Sequence, residues 1–291
     1  MDGRSAMFVT GPSEEGQSEP RLSEVGLSEV GERAGNADLV RAAFREECLR
    51  LGEVLASLDP GDLARPTGCV PWTVAELLAH VRTGAGRLID MLAAPAPTGA
   101  PVDAAGYFGT AKFTSEVDAA RIESARAEAA RIEAARIEAA HAEAARVGDG
   151  RVEGGEESFG PDGRRRGAGL GEDFDRAWRA ALAAVEAYPP DRVVRTRHDD
   201  AMTVTEFLRT RVVEVGVHGL DLAAALDRPP WLTTAASRVI ADLLTVGRSL
   251  PAELGWDRLT LIAKVTGRMP CSPAEQAALA RVGLPLLAFG P

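Results

Sequence analysis

Thr203-Val204-Thr205-Glu206-Phe207-Leu208-Arg209-Thr210-Arg211-Val212-Val213-Glu214-Val215-Gly216-Val217-His218 reads as the opening of a long helix. Thr203 followed by Glu206 has the pattern of a capping box, in which two side chains reciprocally satisfy backbone N–H groups at a helix start. The apolar run continues to about Leu226 and ends before Pro229-Pro230, where the helix cannot be extended. A second such opening, Thr73-Val74-Ala75-Glu76, leads through Leu77, Leu78, His80 and Val81 to about Leu92. Upstream, Leu39, Ala42, Ala43, Leu49, Val54 and Leu58 recur at helical spacing, and Asp59-Pro60-Gly61 stops the run. Further helices are predicted near 174–187, 232–249, 255–267 and 273–282.

The composition agrees with an all-α fold. Apolar residues make up 45% of the 291 and aromatics only 5%, whereas sheets draw on aromatic and β-branched side chains. The net charge of −10 argues against nucleic acid or an anionic membrane surface as partner, since both need clustered Lys and Arg. No apolar run approaches the roughly 20 residues of a membrane helix. The three cysteines are widely spaced, which suits reduced thiols and a cytoplasmic location.

Residues 1–36 are rich in Gly, Ser and Glu and are expected to be disordered. Residues 37–228 are expected to form the helical bundle, and 229–291 a C-terminal helical segment. Within the bundle, 117–171 is an insert. Its first part repeats every five residues, as in Arg131-Ile132-Glu133-Ala134-Ala135 and Arg136-Ile137-Glu138-Ala139-Ala140. Its composition is helix-forming, and each Glu has a basic partner three places on, worth about 0.2–0.5 kcal/mol per pair. Ile122, Ile132 and Ile137 share no face, so the insert is expected to be a solvated helix that packs poorly, followed by a flexible Gly-rich stretch.

Of the four histidines, His141 lies in the repeat and His198 in a polar loop, while His80 and His218 sit inside the two capped helices. Glu214 precedes His218 by one helical turn, which aims a carboxylate and an imidazole at one point. His80 comes from the other helix. Three such donors can define three corners of a tetrahedron and leave the fourth for water or substrate. A Glu-x-x-x-His pair alone is more often a surface pair. Glu76 also precedes His80 by four, but its capping role accounts for it.

Context adds to the spacing. Cys69-Val70-Pro71-Trp72-Thr73-Val74-Ala75-Glu76-Leu77-Leu78-Ala79-His80-Val81 and Arg211-Val212-Val213-Glu214-Val215-Gly216-Val217-His218-Gly219-Leu220-Asp221-Leu222 resemble two segments of the mycothiol-dependent maleylpyruvate isomerase family. That family belongs to the DinB-like superfamily of metal-binding four-helix bundles. The tail, Thr266-Gly267-Arg268 through Leu284-Pro285-Leu286-Leu287, is similar to tails of members. Val70-Pro71 departs from the family's Pro-Gly before the tryptophan.

The resemblance implies a DinB-like four-helix bundle with additional C-terminal helices. It implies His80, Glu214 and His218 as ligands of a divalent metal, zinc first among the candidates, and mycothiol as thiol cosubstrate. The expected activity is isomerisation or S-transfer on a small, carboxylate-bearing electrophile, with Arg211 as the catalytic cation. A structural ion pair with Glu214 is the other reading of Arg211. Asp221 either orients a ligand or serves the helix surface. Trp72 is expected to be a core anchor and Cys69 a small buried residue, since no basic residue lies near it in sequence. The competing function is a non-catalytic metal-binding helical protein acting as a sensor or interaction module.

Overall fold

The computed structural model describes residues 22–108, 115–149, 164–284 and 286. The first 21 residues of the expected disordered head, and residues 150–163 of the Gly-rich stretch, lie outside the described residues. Ala37–Pro291 forms one compact unit, and it is mostly helical, as the all-α expectation requires.

Four helices build the bundle: α1 (Leu22–Leu55), α3 (Val74–Gly86), α7 (Arg164–Glu186) and α8 (Val204–Ala225), with α2 (Pro60–Leu63) in the first connection. Their bulkiest buried side chains meet in one core: Phe44, Leu51 and Leu55 from α1, Leu77 from α3, Phe174 and Trp178 from α7, Leu208 and Leu222 from α8. Burying each such side chain contributes roughly 1.5–3 kcal/mol. The α1 face matches the expected one at Ala43, Val54 and Leu58, which are buried, and differs from it elsewhere. Leu39 and Leu49 are exposed, at 55% and 41%, while Val40, Ala43, Phe44, Leu51 and Leu55 point inward. A one-residue shift rotates a helical stripe by about 100°, and the Phe44-Leu51-Leu55 stripe carries more apolar area. The helix also starts at Leu22, well before Ala37. Extension of an existing helix adds one hydrogen bond per residue without a new nucleation cost.

The expected capping box on α3 is present: Thr73 Oγ1 accepts from Glu76 N, and Glu76 Oε2 accepts from Thr73 N at 2.8 Å. On α8 only half of it forms. Thr203 Oγ1 accepts from Glu206 N, but the Glu206 carboxylate accepts from Ala104 N at 2.9 Å. That bond ties α8 to the short helix α5 (Ala104–Tyr107). The helix expected over Thr73–Leu92 breaks at Arg87, which separates α3 from α4 (Leu88–Ala93).

Helix α6 (Ser115–Asp149) is the insert, and its first half does not stand in solvent. Ala125 and Ile132 are buried, and Ile122 packs against the core. Ile122, Ala125, Ala129 and Ile132 fall within about 80° of one another on a helix of 3.6 residues per turn. The isoleucines alone hide this stripe because two alanines complete it. Arg82 of α3 pairs with Glu128 at 2.7 Å, and Arg126 with Glu76 at 3.3 Å. Ile137, beyond the docked half, is 41% exposed.

The α7 helix also begins earlier than expected, at Arg164. Its Gly171 faces α1, where an added Cβ would meet Leu55 Cβ at 3.4 Å, an ordinary van der Waals contact. Between α7 and α8 stands an unanticipated hairpin, β1 (Val193–Arg195) and β2 (Ala201–Thr203), antiparallel with Val194 opposite Met202. Asp199 at its tip has φ of 67°. After α8 come α9 (Thr234–Thr245), α10 (Arg258–Val265) and α11 (Pro273–Arg281). Helices α9 and α10 pack on α8 and on each other. No helix among the described residues is long and apolar enough to cross a membrane.

Candidate metal centre and its cleft

Helices α3 and α8 lie side by side and bring three predicted residues together. His80 Nε2 is 3.3 Å from Glu214 Oε2, and His218 Nε2 is 3.5 Å from the same oxygen. One potential ligand atom from each residue lies within 4.8 Å of the others. A metal bound tetrahedrally by N and O donors at about 2.0–2.1 Å separates neighbouring donors by about 3.3–3.4 Å. The two spacings to Glu214 Oε2 are therefore compatible with a single small divalent ion. No fourth His, Cys, Asp or Glu joins this trio among the described residues. Side-chain exposures of 14%, 23% and 14% leave the trio reachable from outside.

Trp72 anchors the start of α3 and is 7% exposed. Its ring also lies on His80, with centroids 4.7 Å apart, so the core anchor holds one imidazole plane. His218 is fixed from the far side. Its Nδ1 lies 3.0 Å from Asp221 Oδ2. When Nδ1–H donates to that carboxylate, the Nε2 lone pair is left facing Glu214 and His80. Asp221 is itself held by Arg268, which donates from Nε to Oδ1 at 3.0 Å and from Nη2 to Oδ2 at 2.8 Å. Asp221 thus orients a candidate ligand and does not serve the helix surface.

A second group of potential ligands, Cys69, His218 and Asp221, shares His218 with the first. The Cys69 thiol donates to Asp221 Oδ2 at 3.1 Å and sits 3.9 Å from both His218 Nδ1 and Arg268 Nη2. Cys69 is half-buried, and it does have basic neighbours, in contrast to the sequence expectation. They come from α8 and from the segment after α10, remote in sequence.

Burial pushes His80 down to about 4, against the pull of Glu214, so its imidazole is neutral and ready to donate a lone pair. For His218, burial disfavours the charged ring, but hydrogen bonds with Asp221, Cys69 and Glu214 outweigh it and raise the pKa well above the ordinary value. Burial likewise opposes ionisation of Glu214. Arg211, then His218 and His80, overcome it and hold the carboxyl well below the usual range.

Arg211 is 4% exposed, with its guanidinium 3.6 Å from Glu214 Oε1 and stacked 4.7 Å over the Phe207 ring. Gly84 makes room for it: a Cβ there would stand 3.0 Å from Arg211 Nη1. The two readings of Arg211 are therefore compatible, because it pairs with Glu214 and also lines a cleft. That cleft is bordered by His80, Glu214, Arg87, Arg121, Arg197, Arg211, Tyr107 and His198, and its volume is about 20 Å³. Sequence reading missed Arg87, Arg121, Arg197 and Tyr107, which come from separate elements with no shared motif. A polar loop containing His198 was read, but its place at the hairpin tip, 5.9 Å from the Tyr107 ring, depends on strand pairing.

A family model described as the mycothiol maleylpyruvate isomerase N-terminal domain matches residues 44–150 and 125–223. The two stretches overlap within α6, and together they contain His80, Glu214 and His218. No curated protein and no solved structure matches the chain.

Proposed function

Because the chain belongs to the mycothiol maleylpyruvate isomerase N-terminal domain family, we propose that it is a metal-dependent enzyme that uses mycothiol to isomerise, or transfer sulfur to, a small carboxylate-bearing electrophile. The observation that carries this reading is the convergence of His80, Glu214 and His218 beside an arginine-lined cleft. These three residues would hold the ion, zinc being the first candidate for an N/O donor set. A bound divalent ion acts as a Lewis acid and lowers the pKa of a coordinated thiol from its free value of about 8.5.

The protein's own groups do the rest. Asp221 and Arg268 hold the His218 ring so that Nε2 faces Glu214. Trp72 excludes water from one side of His80. Arg211, fixed by Glu214, Phe207 and Thr210, presents a cation that can hold the substrate carboxylate and offset negative charge developing on the acceptor. A purely structural metal site would be closed by protein ligands; the arginine-lined cleft beside a half-buried trio favours catalysis over the sensor reading.

The test is incubation of metal-loaded protein with mycothiol and maleylpyruvate. Thiol-dependent formation of the trans isomer, or consumption of thiol into an adduct, supports the reading. Absence of both in protein with full metal content contradicts it.

A further inference from the structure

Two glycines lie one turn apart inside α8, where alanine is the better helix former. Their surroundings differ. A Cβ added at Gly216 would stand 2.7 Å from Ile240 Cδ1 and 2.9 Å from Leu232 Cδ1, so apolar side chains already fill that space. A Cβ added at Gly219, the residue after His218, would meet polar atoms instead. Trp231 Nε1 would lie 3.3 Å away and Glu47 Oε1 3.8 Å away, with Trp231 Cε2 also at 3.8 Å.

Those two polar atoms are buried without a hydrogen-bond partner among the described residues. Glu47 of α1 is fully buried and Trp231, in the segment before α9, is 8% exposed. Glu47 Oε2 is satisfied, accepting at 2.9 Å from the backbone N–H of Thr233, the residue that caps α9. Burial raises the Glu47 pKa against the pull of Thr233. Glu47 Oε1 has no donor, and the Trp231 indole, which can only donate, has no acceptor. Leaving either group unsatisfied inside a protein is costly. Both atoms face the same point, from two different elements, where the side chain of a third is missing.

We propose that one water molecule occupies the space beside Gly219 and bridges Glu47 Oε1 to Trp231 Nε1, forming an internal solvent site that braces the α8 turn carrying His218 against α1 and the start of α9. The ligand class follows from the two partners. The occupant must accept from the indole N–H, which a metal cation or ammonium cannot do. It must also stand beside a carboxyl group, which disfavours an anion. Water has two donors and two lone pairs, so it serves both partners whether Glu47 is ionised or protonated. The space is that of a methyl group, and a buried water needs two to four polar partners and about that much room.

The experiment joins a crystal structure of the full chain, at a resolution that places ordered solvent, to nuclear magnetic resonance of the isotope-labelled chain. The crystal should show one solvent peak about 2.7–3.2 Å from both Glu47 Oε1 and Trp231 Nε1, the ordinary hydrogen-bond range. In solution the Trp231 indole N–H, identified by its loss in Trp231→Phe, should give a cross-peak to bound water. Gly219→Ala should abolish that cross-peak, because its Cβ takes the place of the water. Gly52→Ala, on α1 with nothing within 4 Å of the new Cβ, should retain it. A direct Glu47–Trp231 hydrogen bond, or no solvent peak between them, overturns the proposal. A cross-peak that survives in Gly219→Ala overturns the placement beside Gly219. The crystal structure of the unmodified chain decides the bridge even where a variant fails to fold.

Discussion

The two potential ligand groups that share His218 contain similar residue types and differ in what surrounds them. On the Nε2 side, His80 and Glu214 converge with spacings that fit one ion, and the side chains reach a cleft. On the Nδ1 side, Asp221 already accepts from Arg268 through both oxygens and from the Cys69 thiol. Its carboxylate is committed to a half-buried guanidinium, and an ion placed there would meet the Arg268 charge. On the proposed reading the same imidazole has one nitrogen for coordination and one for orientation. Both carboxylates have an arginine beside them, but Arg211 stands 3.6 Å from Glu214 Oε1 and leaves Oε2 to the histidines, whereas Arg268 holds both oxygens of Asp221.

The largest expected effect that probes this contrast is Asp221→Asn. The amide can still accept from His218 Nδ1–H but carries no charge to stabilise the ring, and Arg268 loses its partner. Metal affinity should fall by about 10–100-fold, the usual range for loss of a supporting hydrogen bond to a ligand, as read by competition with a chelating dye. Unchanged affinity would remove Asp221 from its supporting role.

A second effect is the release of about one proton when metal binds at pH 7. His80 is neutral there and His218 is protonated, so the proton comes from His218. Calorimetry in buffers of different ionisation enthalpy reads the number, and no dependence on buffer would contradict the assignment. In the metal-free protein the two histidines act oppositely on stability. The His80 pKa is lowered on folding, so its contribution is present above about 6.5 and is lost as pH falls towards about 4. That of His218 is raised, so its contribution is present below about 6.5 and lost as pH climbs through the raised value. Thermal melts of His80→Asn should therefore lose less stability between pH 6.5 and 4 than the unmodified chain.

The smallest effect belongs to Cys69→Ser. The hydroxyl keeps a donor for Asp221, so metal content should remain within about twofold, far less than the loss expected at Asp221. A loss as large as that of Asp221→Asn would move the ion to the Nδ1 side.

Local signals made much of the fold legible. The Thr73–Glu76 box placed α3, and with it His80, because a cap involves residues only three apart. The Glu214–His218 pair was legible for the same reason. What escaped depended on tertiary contact. Glu206 left its expected cap for Ala104 N. The α6 stripe relied on alanines that carry little signal alone. Cys69 gained its cationic neighbour from Arg268, 199 residues away. Four arginines from four elements share a cleft that no linear motif announces.

The central claim is that His80, Glu214 and His218 hold one divalent ion. It is tested most directly by metal analysis of the purified chain beside a His80→Ala/His218→Ala double variant that retains its helicity. The account predicts about one equivalent of metal in the unmodified chain, the count for a single three-ligand site, and essentially none in the variant. Equal metal content in the two proteins would contradict it.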